Sequence, residues 1–151
     1  MRISALAWAA VWLAGCAAPV EQDPYSGTYR FADPGEKGYF VVSTLGPGQW
    51  TVQMSVRGGA LMTHPLSEGS PMVVASPAVL ASTFATPMAQ AACLASSGRH
   101  AVPLICRVPV NAPYQVVQAM DPKRSLKSAT GYVLLVGTPA GTIAVDLVRN
   151  P

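Results

Sequence analysis

Charge is scarce in this chain: 11% of its 151 residues are charged, and 10 lysines and arginines face 7 acids, a net +3. A balance so slight supplies no basic stripe for holding nucleic acid. Histidine occurs twice and cysteine three times, and aromatics make up 7% of the residues. The patterns GxSxG, HExxH, GxGxxG and the P-loop are all missing, which removes the familiar nucleophile, zinc and nucleotide devices. No apolar run is long enough to span a bilayer as a helix. What is abundant is hydrophobic residues, 50% of the chain, interrupted by 14 prolines and 13 glycines. That fraction calls for a folded core, and the interruptions rule out a long-helix bundle or a coiled coil. The length suits a single domain.

The start of the chain has its own composition. Arg2 places a positive charge ahead of thirteen apolar or small residues, Ile3 to Gly15. As a helix they would rise about 20 Å, short of a hydrocarbon layer of about 30 Å. A charged start and a short apolar stretch read as a secretory signal. The stretch ends in Leu13-Ala14-Gly15-Cys16, which resembles the lipobox of bacterial lipoproteins over residues 1–16. The resemblance implies a diacylglycerol thioether on Cys16 and cleavage just before it. The small residues Ala14 and Gly15 would let a membrane-embedded peptidase approach the backbone. Residues 1–15 are then the signal, residues 16–24 a lipidated tether, and residues 25–151 one periplasmic domain. Trp8 and Trp12 would leave with the signal, making Trp50 the only tryptophan. Ala17, rather than Asp, follows the cysteine. By similarity with enterobacterial lipoproteins, this implies sorting to the outer membrane, facing the periplasm.

With Cys16 lipidated, Cys93 and Cys106 remain, and in an oxidising compartment two thiols are expected to form a disulfide. Closing a loop of that length contributes about 3 kcal/mol in the chain-entropy model. The competing uses are a Cys93–His100 nucleophile–base pair or a metal site. Neither has a CxxC behind it, and no metal or cofactor is expected.

The rest of the chain reads as strands. Tyr25, Tyr29 and Phe31 share one face of a first strand, and Gly38 to Leu45 is a continuous aromatic and β-branched run. Residues 49–57 alternate Trp50, Val52, Met54 and Val56 against polar positions, and Gly46-Pro47-Gly48 joins the two into a hairpin. Residues 71–75 suggest a short strand. Thr86-Pro87 resembles a helix start and Gly98 a stop, predicting a helix over 87–96 that carries Cys93. Residues 101–108, 114–120, 131–137 and 142–149 suggest further strands, with Pro103 marking an edge or a bulge. The fold class expected is mainly β, all-β or α+β: a small antiparallel sandwich or barrel of about seven strands with one short helix.

Candidate chemistry is sparse. Of the acids Glu21, Asp23, Asp33, Glu36, Glu68, Asp121 and Asp146, five fall in tether or turn segments and Asp146 on the outward face of the last strand. His64 and His100 fall in expected loops. Lys123, Arg124 and Lys127 form a small basic patch suited to anionic lipid headgroups or another anionic surface. Tyr25, Tyr29, Phe31, Tyr39 and Phe40 would fill a core or line a barrel pocket. The expectation is a non-catalytic envelope lipoprotein that binds or scaffolds another envelope protein, as an inhibitor, an immunity protein or an assembly factor. A lipocalin-like carrier of small ligands is the alternative, and a cell-wall hydrolase a third.

Overall fold

The computed structural model describes residues 23–56, 59–63, 70–85, 90–97, 103–121 and 125–150. The signal, Cys16, both histidines, Lys123 and Arg124 lie outside the described residues.

Alternating side chains set the first strands. In β1 (Gly27–Phe31), β2 (Gly38–Gly46) and β3 (Gln49–Val56), Tyr29, Phe40, Val42, Trp50 and Val52 point the same way and are buried. β1 pairs antiparallel with β2 and β2 with β3, with a bulge between Thr44 and Gly46 beside the turn. Tyr39, next to Phe40, falls on the opposite side of the pleat, paired with Arg30 and Ser55. The expected hairpin is present.

After β3 come a two-residue strand β4 (Met62–Thr63), β5 (Met72–Val74), helix α1 (Pro77–Thr83), β6 (Ala92–Ser96), β7 (Leu104–Arg107), β8 (Tyr132–Thr138) and β9 (Gly141–Asn150). β3 pairs with β5, β5 with β6, and so on in chain order to β9, which returns to β1. Together with the β2–β3 pairing, this closes an antiparallel up-and-down barrel of eight strands, with β4 attached to β3 as a ninth. Closure removes the exposed edges that an open sheet of this composition would present.

Two expectations are corrected. The helix predicted over 87–96 is overturned in its described part: residues 92–96 form β6, held between β5 and β7, and residues 87–89 lie outside the described residues. Alanine is the best helix former, but the preference is worth only a few tenths of a kcal/mol to about 1 kcal/mol per residue, and strand pairing on both sides outweighs it. The helix lies one proline earlier, over Pro77–Thr83, where the Ser76 hydroxyl caps the Val79 N–H and Pro77 takes the first turn. Residues 114–120 are not a strand either. They cross the barrel's outside through isolated bridges, Val116 to Phe84, Tyr114 to Leu126 and Ala119 to Thr142.

The core is double. Inside the barrel, Tyr29, Phe40, Val42, Val52, Met72, Leu94, Ile105, Leu134 and Leu147 pack together. On the outer face of β6, β7 and β8, Cys93, Ala95, Leu104, Cys106, Val133 and Leu135 pack beneath Phe84, Val108, Tyr114 and Val116. Helix α1 adds Val79 and Leu80 to this cover. Gly141 permits the cover to close. Its φ is +131°, and a Cβ there would stand 2.7 Å from the Gln118 carbonyl oxygen, the same oxygen that accepts from the Thr142 N–H.

Candidate functional site

Strands of an up-and-down barrel alternate in direction, so its two ends are built from different turns. At one end, here called the mouth, stand the starts of β1, β3, β6 and β8 and the finishes of β2, β5, β7 and β9. The chain enters the barrel here through Asp23, placed in the tether by sequence and found instead to be part of the fold.

The Asp23 carboxylate accepts from every polar group around it. One oxygen takes the backbone N–H of Tyr25 at 2.9 Å and of Ser26 at 3.3 Å. The other takes Trp50 Nε1 at 2.8 Å, Thr44 Oγ1 at 2.9 Å and the Ser26 hydroxyl. Burial alone would raise this carboxyl's pKa. The bonds from Ser26, Trp50, Tyr25 and Thr44 outweigh it and hold the group well below the usual carboxylate range. Its acceptor capacity is filled, so it clasps the β2–β3 hairpin to the chain's entrance and is not a poised acid or base. The local signal was the Asp-Pro-Tyr-Ser sequence, in which an aspartate bonds backbone amides just ahead of it.

Arg149, near the end of β9, locks the same segment from the other side. Its guanidinium donates to the Ser26 carbonyl at 2.6 Å, the Asp23 carbonyl at 2.9 Å and the Tyr132 hydroxyl at 3.1 Å, and lies over the Tyr132 ring. Beneath it, Tyr29 stacks on Phe40 with ring centres 5.1 Å apart and donates its hydroxyl to the Tyr25 carbonyl. Tyr25 meets Trp50 edge to face at 5.3 Å. Burial raises the pKa of both Tyr25 and Tyr29. These aromatics are core and stopper together. Over them lies an open depression of about 560 Å³ lined by Asp23, Pro24, Thr44, the Gly46–Gly48 turn and Trp50.

Asp146 is a second clasp, on the outer wall. It accepts from the Ser128 hydroxyl, from Thr130 Oγ1 at 3.1 Å and from the Ala129 N–H at 3.1 Å, pinning the cover's end to β9. Its charge and, more strongly, burial push the Tyr114 hydroxyl up to about 12. Near the far end of the barrel, a groove of about 280 Å³ runs between the cover and the β8–β9 hairpin. Met120, Asp121, Leu126, Thr142, Ile143 and Ala144 line it, and Met120 is 58% exposed.

Cys93 and Cys106 are directly opposed on β6 and β7 and form the disulfide, both fully buried. The bridge joins neighbouring strands and not a helix to a strand. Of the basic patch only Lys127 is described, exposed on the cover. Among the described residues no cluster of three or more histidine, cysteine or acidic side chains suits a metal ion, and no helix is long and apolar enough to cross a membrane. No protein-family model, curated protein or solved structure matches this chain.

Proposed function

We propose that the protein is an envelope lipoprotein, anchored through lipid on Cys16, whose barrel binds or scaffolds another envelope protein by its outer surface and performs no catalysis. The observation that carries this reading is the filled interior. Tyr29, Met72, Leu94, Leu135 and Leu147 are among the largest fully buried side chains, and all but Leu135 belong to the inside cluster. Interior positions of small barrels are filled by side chains, which leaves rims and walls as the surfaces open to a partner. Both carboxylates best placed for chemistry, Asp23 and Asp146, are occupied in holding loops. The carrier reading draws support from the up-and-down topology, but it requires space that Phe40, Leu94 and Ile105 take up. The groove beside Met120, which is 58% exposed, is an apolar surface on the outer wall, and we assign the protein partner to it.

The test is a photo-cross-linking side chain at Met120, compared with one at Thr51 on β3, three strands round the barrel from β9, in cells making the lipidated protein. One discrete adduct from Met120, lost in Cys16→Ser, is expected. No adduct from Met120, together with an apolar ligand co-purifying in native mass spectra, would favour the carrier instead.

A further inference from the structure

The direction in which the barrel faces follows from where its chain begins. We propose that the mouth of the barrel lies against the bilayer surface, with Leu45 and Arg107 at the phospholipid headgroups, and that the far end with its groove points away into the periplasm. This rests on lipidation of Cys16 and adds an orientation to it.

Length supplies the first argument. Residues 17–22 are all that separate Cys16 from Asp23. Seven steps of chain span at most about 25 Å when fully extended, and a flexible chain of that length averages about 15 Å end to end. Asp23 is not a loose point along the way. Its carboxylate is bonded to Trp50 and Thr44, and its carbonyl to Arg149, so the tether's fixed end belongs to the mouth. The ten residues of β9 run from that mouth to the far end, a distance of about 25 Å for a strand tilted by about 40°. Bringing the far end to the membrane would therefore need the tether stretched to its limit. Bringing the mouth there needs no stretching.

Surface chemistry supplies the second. Leu45, at the tip of the β2–β3 hairpin and next to the Asp23 bonds, is 61% exposed, and Val74 at the end of β5 is 54% exposed. Arg107, the last residue of β7, is exposed at the same rim. Among the described residues the one acid at this rim is Asp23, and its charge is enclosed by five donors. Among the described residues of the other end, Asp33, Glu36 and Asp121 are exposed beside Lys37. A bilayer containing anionic lipid attracts the rim that carries Arg107, each well-placed cation contributing about 1 kcal/mol.

The experiment uses full-length lipidated protein, its acylation verified by intact mass, reconstituted in vesicles of phosphatidylethanolamine and phosphatidylglycerol doped with a headgroup spin label. Leu45→Cys and Met120→Cys each carry one fluorophore, since Cys93 and Cys106 are bridged and buried. Quenching should be severalfold stronger at position 45 than at 120. The difference should shrink in Arg107→Gln and at high salt. Equal quenching, or stronger quenching at 120, in protein shown to be acylated would overturn the orientation and leave the anchor standing. A bare chain that does not remain with the vesicles would instead remove the anchor, and the orientation with it.

Discussion

The walls of the barrel are unequal. Around β1, β2 and β3 apolar burial falls on one face: Tyr29, Phe40 and Val52 go in, while Arg30, Tyr39 and Thr51 face out. On that outer side only Ser55, bonded to the Gly59 carbonyl, is fully buried among the described residues. Along β6, β7 and β8 both faces are buried, so that Leu94, Ile105 and Leu134 point inward between Cys93 and Ala95, Leu104 and Cys106, Val133 and Leu135. The first wall needs only closure of the barrel. The second needs a cover, supplied by α1 and the described residues of 108–121 and 125–128, and tied down by Asp146, with the Cys93–Cys106 bridge joining β6 to β7 beneath it. Side-chain alternation is enough for a wall with one wet face, whereas a doubly buried wall is written as a continuous apolar run.

The sharpest way to break this comparison is to cut one residue from each face of β8. Leu134→Ala removes packing inside the barrel and Leu135→Ala removes it under the cover. Both should cost about 2–5 kcal/mol in denaturant unfolding. A cost for Leu135→Ala similar to that of an exposed position would show that the outer cluster is not a core. Replacing both Cys93 and Cys106 by alanine should lose about 3 kcal/mol, and with both thiols gone the cover's amides should exchange faster than those of β1 and β2.

The clasps sharpen it further. Asp23→Ala leaves Trp50 Nε1 without its carboxylate and should cost about 1–3 kcal/mol, with a red-shifted Trp50 emission. Because the folded Asp23 pKa is depressed, its contribution is fully present above the ordinary carboxylate value of about 4 and is lost as pH falls through the lower folded value. Asp23→Asn should therefore flatten the acid limb of the stability profile, and an unchanged limb would contradict the clasp. The smallest effect belongs to the cover's helix: Ser76→Ala should cost about 1 kcal/mol through loss of the cap on Val79, measured by thermal unfolding.

The interior wall was readable in the sequence because Trp50-Val52-Met54 and Ile143-Val145-Leu147 repeat every second residue. The glycine–proline turn at 46–48 then fixed the hairpin. The outer wall was harder to read. Residues 92–96 look helical by composition, and their spacing-of-two signal, Cys93 and Ala95 about Leu94, is hidden within an alanine-rich stretch. Cys106 directly across the ladder was the better clue, since a buried bridge between neighbouring strands puts both cysteines on one face. The cover has no period at all, being held by bridges between residues distant in sequence, so the groove beside Met120 had no local signature. Asp23 reads as tether from the sequence because two of the five bonds it accepts come from Thr44 and Trp50, which the pairing of β1 with β2 and of β2 with β3 brings to it.

The account of the protein as an anchored, surface-acting barrel depends most directly on the state of Cys16. Intact-mass analysis of the native protein, extracted by detergent from separated membranes, should find a chain beginning at Cys16, carrying diacylglycerol and sedimenting with the outer membrane. An unmodified chain that retains residues 1–15 and remains in the soluble fraction would contradict it.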